Sequence, residues 1–214
     1  MGTRNLTVVY KDGEPKVAQY CQWDGYPSGQ GVTVLDFLKT NDLNLFAKKV
    51  GQCTWLSDEE LYDLWKSVGA DDTGFVSMEI SNKFRKRFPH LHRDTGARIL
   101  GLIQDSDGLQ LVNSIGFAAD GLFCEWAYVI DLDAQTLEVY SGFHKGPVVG
   151  RFKDMETEGE YSPISLEKTY ALTDLPYQAK FLTDLSSNTP CLGTTLSRFS
   201  TGGPGTLTGP GESK

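Results

Sequence analysis

One segment constrains the fold more than any other. Val17-Ala18-Gln19-Tyr20-Cys21-Gln22-Trp23-Asp24-Gly25-Tyr26-Pro27-Ser28-Gly29-Gln30-Gly31 runs from an alternating strand through a glycine-rich turn into a helical pattern of Val32, Val34, Leu35 and Leu38. A switch from period two to period 3.6 over so short a stretch sets a sheet beside a helix. Glycine also lets a ligand approach the backbone, and a helix that starts after such a turn presents free N–H groups there. The segment therefore marks a candidate site as well as a fold.

The pattern extends on both sides. Thr3 to Lys11 alternates as a strand with Leu6, Val8 and Tyr10 on one face, Asp12-Gly13-Glu14-Pro15 reads as a turn, and Lys16 to Trp23 is the return strand. A helical middle follows, over 42–50, 58–68, 78–88 and 94–104. Ser57-Asp58-Glu59-Glu60 forms a capping box and Pro89 stops the third of these helices. Residues 122–133 and 136–140 then read as a second hairpin turning at Ala134-Gln135, with a further strand over 168–172 and a last helix over 176–185.

Strands, then helices, then strands predict an α+β fold, a layered sandwich of antiparallel sheet and helices. The expected organisation is a single α+β domain over 1–185, with a helical insertion at about 41–105. A Ser/Thr/Gly/Pro-rich tail over 186–214 is too polar to order itself.

Composition excludes several classes. A formal charge of −8 over 214 residues argues against a general nucleic-acid binder. No apolar run approaches the roughly 18 residues that span a bilayer, no signal peptide precedes Gly2, and the start lacks a myristoylation signal. Cys21, Cys53, Cys124 and Cys191 lie far apart and read as reduced thiols, so the expectation is a cytoplasmic protein without cofactor or metal.

Other candidate sites weaken on inspection. Asp71-Asp72-Thr73-Gly74 and Asp105-Ser106-Asp107-Gly108 lack the ligands a calcium loop needs at its first and twelfth positions. Lys83, Arg85, Lys86, Arg87 and Arg93 form a basic island beside His90 and His92, either a solvated helix face or a dock for an anionic partner. Cys21 has no histidine at a recognisable spacing and reads as packing. Glu125 and Trp126 interrupt an apolar strand and either meet solvent or face the N-terminal loop. At the loop itself several features coincide: Asp24 after a strand, Tyr26-Pro27 fixing the turn, Gly29 and Gly31 before the helix, and Arg4 on the paired strand.

Two signatures resemble a family of uncharacterised proteins from bacteria, phages and fungi. One joins Gly2-Thr3-Arg4-Asn5-Leu6 to Val17-Ala18-Gln19-Tyr20 and to Trp23 through Gly31. The other is Trp126-Ala127-Tyr128-Val129-Ile130-Asp131-Leu132 followed by 137–143. A weaker likeness is to N-terminal nucleophile hydrolases of the cholylglycine hydrolase type, which begin Met-Cys-Thr and carry an Asp near the end of the second strand. Here Gly2 stands at the nucleophile's place, Cys21 at that of an Arg, and Asp24 closes a comparable strand. This likeness implies an N-terminal-nucleophile-hydrolase-like fold that has lost its attacking side chain and kept its pocket.

The leading expectation is a non-catalytic binding protein for a small anionic, nucleotide-like molecule. Arg4 would pair with the anion and the amides of Gly29 to Val32 would cradle it. Trp23 and Tyr26 would stack on a planar part, while Gln19, Gln22 and Asp24 orient it, with Gly29 and Gly31 opening the backbone. The phage occurrence of the resembled family implies sequestration of a host immune signal. One alternative is an N-terminal-nucleophile-type amide hydrolase using Thr3 or Cys21 with Asp24 or Glu125. Another is a protein-interaction module acting through the basic helix and the tail. No membrane partner is expected, and the edge of the first hairpin is open to pairing with a second copy.

Overall fold

The structure, a computed structural model, describes residues 2–71, 76–144, 147–157 and 161–186. Its frame is a five-stranded mixed sheet in the order β2-β1-β5-β6-β7. Strands β1 (Asn5–Lys11) and β2 (Glu14–Cys21) form the first hairpin, and β5 (Trp126–Asp131), β6 (Thr136–Ser141) and β7 (Ser165–Ala171) form an antiparallel meander. The α+β class is as the sequence indicates, with one difference: β1 and β5 join in parallel, with Asn5 opposite Trp126 and Thr7 opposite Tyr128. Two hairpins distant in sequence each have their own turn chemistry, but nothing local specifies how their inner strands meet. The parallel seam places β1 inside the sheet, flanked on both edges.

Helices α1 (Val32–Thr40), α2 (Leu43–Val50), α5 (Ile99–Gln104) and α6 (Gln178–Ser186) cover one face of the sheet. There Val34, Leu35, Phe46, Ile99, Leu100, Ile103 and Phe181 pack on Val9, Val17, Ile130, Leu137 and Val139. The other face carries Leu6, Val8, Ala127, Val129 and Tyr140 and is covered by irregular chain bearing Ala118, Cys124, Phe152 and Ile164. The helical middle is thus not a separate unit, since α2 and α5 complete the core alongside α1. Helices α3 (Asp58–Ser67) and α4 (Met78–Arg87) contribute little to it, burying between them only Phe84. A two-stranded parallel patch, β3 (Thr54–Trp55) with β4 (Gln110–Leu111), lies at the root of this excursion.

Several boundaries move for local reasons. The first turn contracts to Asp12-Gly13, both at positive φ, so Glu14 and Pro15 join β2. The helix expected over 94–104 is a 3₁₀ turn at Gly96–Arg98 followed by α5. The strand expected from Leu122 begins at Trp126, because the Asp120 carboxylate accepts from the Leu122 and Phe123 amides and holds that stretch in a turn. The capping box at Ser57 and Glu60 forms as read. The tail beyond Ser186, with Cys191, and part of the first calcium-loop candidate (72–75) lie outside the described residues. No helix of the described residues is long and apolar enough to cross a membrane, and no group of metal-binding side chains occurs among them.

Candidate functional site

The strand register builds an unusual surface at one end of the sheet. Towards the helices, successive rows across β2, β1 and β5 read Val17-Val9-Ile130, then Gln19-Thr7-Tyr128, then Cys21-Asn5-Trp126. The face turns from apolar to polar within two rows, yet it stays covered: Asn5 and Thr7 are fully buried, and Gln19 and Cys21 nearly so. Asn5 donates to the carbonyls of Cys21 and Trp23 through Nδ2, but its Oδ1 and the Thr7 hydroxyl have no hydrogen-bond partner. Each such oxygen costs about 1–3 kcal/mol relative to a satisfied one. Asp94, Gln104 and Thr136 each hold such an oxygen too, but those of Asn5 and Thr7 fall in adjacent rows of one strand, a polar floor behind the segment that follows β2.

The segment after β2 covers this floor. Asp24 sits at φ 58°, a left-handed conformation that Asp tolerates better than bulky residues. The Gly25 amide donates to the Thr3 carbonyl at 2.9 Å, and the buried Tyr128 hydroxyl donates to the Gly25 carbonyl at 2.8 Å. Pro27–Gly31 then makes one π-helical turn into α1, a rare geometry concentrated at functional sites. Gly29 is obligatory here, because a Cβ would stand 2.3 Å from the Asp24 carbonyl oxygen. Gly31 rests against the Tyr128 ring, with 2.8 Å between its ideal Cβ and the ring edge.

Outside this turn lies an open cleft of about 480 Å³ lined by Asp24, Tyr26, Ser28, Gly29, Gln30, Val32 and Thr33. Its size falls within the range of small-molecule sites. Gln30 connects cleft and floor. Its Nε2 donates to the Trp23 carbonyl at 3.4 Å and lies 3.7 Å from the Cys21 sulfur, while its Oε1 accepts the Ala97 amide at 2.8 Å. The tyrosine ring is 55% exposed at the rim.

The expected site residues separate into two groups. Asp24, Tyr26 and Gly29 line the cleft. Gln19 is buried in the floor, bonded to the carbonyls of Tyr20 and His92. Gln22 accepts the Tyr20 hydroxyl, Trp23 packs against Gly2, and Gly31 lies beneath the turn. Arg4 is elsewhere. It follows the alternation of Leu6 and Val8 onto the other face, where its guanidinium stacks 4.3 Å from the Phe123 ring centroid. The amide cradle is also spoken for: Gly29 and Gly31 donate to Tyr26, Gln30 to Asp24, and Val32 to Gly29 and Pro27. A π turn closes bonds that a simple helix start would leave open, so glycine spacing alone misreads it.

Cys21 is poorly placed as a nucleophile. Burial pushes its thiol up, and hydrogen bonding with the Trp23 backbone and the Asn5 side chain only partly offsets this. Thr3 is buried as well. Glu125 accepts the Arg4 amide at 3.2 Å, away from the cleft walls. The residues that sequence reasoning missed are Asn5, Thr7, His92 and Tyr128. For Asn5 and Thr7 the signal was present in Thr3-x-Asn5-x-Thr7, a polar alternation opposite Leu6 and Val8 that reads as a solvent face unless another layer covers it. Comparison of the chain with protein-family models, curated proteins and solved structures returned no match.

Proposed function

We propose that this chain is a non-catalytic binding protein whose cleft at the β2–α1 junction receives a small, planar, nucleotide-like molecule. The observation that carries the reading is the juxtaposition of that open cleft with the buried, incompletely satisfied polar rows behind Gln30. Tyr26 offers a ring face for a base, and Asp24 offers acceptors for ring or exocyclic N–H groups. Ser28 and Thr33 add hydroxyls at the wall. Arg4 lies on the other face, so the role of meeting the ligand's anionic end passes to Arg98. That residue is exposed and follows Ala97, whose amide Gln30 holds. It stands outside the cleft lining with Nε and Nη2 on the Thr95 and Asp94 carbonyls, so it would meet a ligand's far end through its remaining N–H groups. Sequestration of a host signalling nucleotide, which the phage resemblance implies, is the biological use this reading carries. The protonated Cys21 thiol and the buried Thr3 favour binding over amide hydrolysis.

Thermal-shift and calorimetric titration with a panel of nucleosides and nucleotides tests this. One base class should raise the melting temperature. Tyr26→Ala and Asp24→Ala should each weaken that binding by about tenfold or more, the range of a lost base stack. Arg98→Ala should weaken phosphorylated ligands more than nucleosides, and Arg4→Ala should change neither. A flat response across the panel overturns the reading.

A further inference from the structure

The excursion formed by α3 and α4 is the least self-sufficient part of the molecule. Helix α3 buries no residue and α4 buries only Phe84, which stacks on Trp65 at 3.7 Å between ring centroids. Helices of ten residues draw most of their stability from a buried face, which this pair largely lacks. Apolar side chains are left facing outward: Met78 is 81% exposed and Tyr62 47%.

Charge on this arm is unevenly divided: α3 carries four carboxylates and one cation, Lys66, which lies over the Tyr62 ring, while α4 carries four cations and one carboxylate, Glu79. On α3, Asp58, Glu59 and Asp63 are exposed and make no salt bridge among the described residues. On α4, Lys83, Lys86 and Arg87 stand at i, i+3 and i+4 along one face. With Ser67 and Val68 they line a groove of about 510 Å³. Lys83 pairs with Glu79 at 2.7 Å, whereas Lys86 and Arg87 make no salt bridge among the described residues. Carboxylates outnumber cations in this chain, 28 against 20, so acid is not in short supply. Helix dipoles favour acids in the first turn of α3 and cations in the last turn of α4. That preference does not explain Asp63, which lies beyond the first turn, or the groove itself.

We propose that two copies of the chain associate through their α3–α4 arms. The Lys86–Arg87 groove of each copy receives the Asp58, Glu59 and Asp63 face of the other. Opposite charges left without salt bridges on the two helices of one arm complement each other when the arm meets its own copy about a twofold axis. Met78 and Tyr62 then supply the apolar area that exposed ion pairs need beside them. A nucleic-acid backbone fits less well, because α3, whose Ser67 lines the groove, carries more carboxylates than cations and the whole chain is negative.

Sedimentation velocity of the full chain over a range of concentrations and salt tests the proposal. A monomer–dimer equilibrium that weakens as salt rises is expected. Lys86→Glu with Arg87→Glu should raise the dissociation constant about tenfold or more, and Asp58→Lys with Glu59→Lys should do likewise. Lys48→Glu with Lys153→Glu, reversals away from the arm, should have little effect. Mixing the two arm variants should restore a dimer, because each then meets an inverted partner; this rescue separates pairing from misfolding and from net charge. A chain that stays monomeric throughout, a dimer indifferent to both arm reversals, or a mixture that fails to associate overturns it. A labelled oligonucleotide that shifts a strictly monomeric chain does so too, in favour of a nucleic acid.

Discussion

The two faces of the central sheet bury different polar groups, although each leaves neutral oxygens unpaired: Thr136 Oγ1, opposite Asp131, on one, and Asn5 Oδ1 and Thr7 Oγ1 on the other. On the face covered by irregular chain, Arg151 meets two carboxylates and a ring. It bonds Glu138 through both Nε and Nη2 at 2.7–2.8 Å and Asp131 at 2.8 Å, and it stacks on Tyr10; Tyr140 donates to the same Glu138. On the helix-covered face, the Gln19-Thr7-Tyr128 and Cys21-Asn5-Trp126 rows hold no charge and leave two oxygens unpaired. An unpaired buried charge is far costlier than an unpaired hydroxyl or amide oxygen. The charges of Arg151, Asp131 and Glu138 are therefore paired because they have to be, while neutral oxygens on either face can remain unpaired. Paired charge marks the clamp that fastens residues 147–157 to the sheet. Unpaired oxygens behind an open cleft mark the candidate site.

Arg151→Met should produce the largest effect, leaving Asp131 and Glu138 facing each other without a cation. A loss of about 3 kcal/mol is expected, read as a lower urea midpoint at unchanged slope. A loss below about 1 kcal/mol, the scale of an exposed pair, would break the contrast between the faces. The same variant should alter acid stability. Burial works to raise the Asp131 carboxyl, but the Ala134 amide and then Arg151 outweigh it and hold the group below its ordinary value. A lowered carboxylate contributes stability above its unfolded value of about 4, and loses it as pH falls through the folded one. Removing Arg151 should shrink that acid-side loss.

What the sequence made legible follows the same division. Turn chemistry and periodicity located both hairpins, the capping box at Ser57 and the entry into α1, because each depends on residues close in sequence. The parallel seam of β1 and β5 depends on residues some 120 positions apart, such as Thr7 and Tyr128. That seam makes β1 and β5 interior strands of the sheet. Arg4 and Asp24 look adjacent at one hairpin end, yet strand alternation sends Arg4 to Phe123 on the far face. Thr3, Asn5 and Thr7 look solvent-facing until the helices and the segment after β2 cover that face. The π turn at Pro27–Gly31 depends on where Tyr128 stands, so its closed amides were equally hidden.

A smaller effect, of opposite sign, should come from the polar rows. Thr7→Val keeps the shape of the side chain and removes an unpaired hydroxyl, so it should stabilise the fold by about 1 kcal/mol. The mirror change one row away, Val9→Thr, should destabilise it by a similar amount. If Thr7→Val instead destabilises, the hydroxyl is satisfied in solution and the row is structural. If it stabilises while weakening the ligand-induced thermal shift, the row belongs to the site.

The smallest effect is a pH dependence centred on His92, whose carbonyl Gln19 grips from the polar floor. Its ring is 8% exposed, and Nδ1 accepts the Asp94 amide at 3.2 Å, which requires that nitrogen to be unprotonated. Burial lowers its pKa. The Asp94 carboxylate opposes this, while Arg85, Arg93 and Arg98 reinforce it. Between the lowered folded value and the ordinary one of about 6.5, the unfolded chain binds more protons than the folded chain. Stability should therefore decline as pH falls from about 6.5 and level off below the folded value. His90, lowered by burial as well, adds a background in the same direction. In His92→Asn, the Oδ1 can replace Nδ1 as acceptor and cannot titrate, so the decline should shrink to that background. An unchanged decline would place the sensitivity at His90, leaving the polar floor without a proton-linked neighbour.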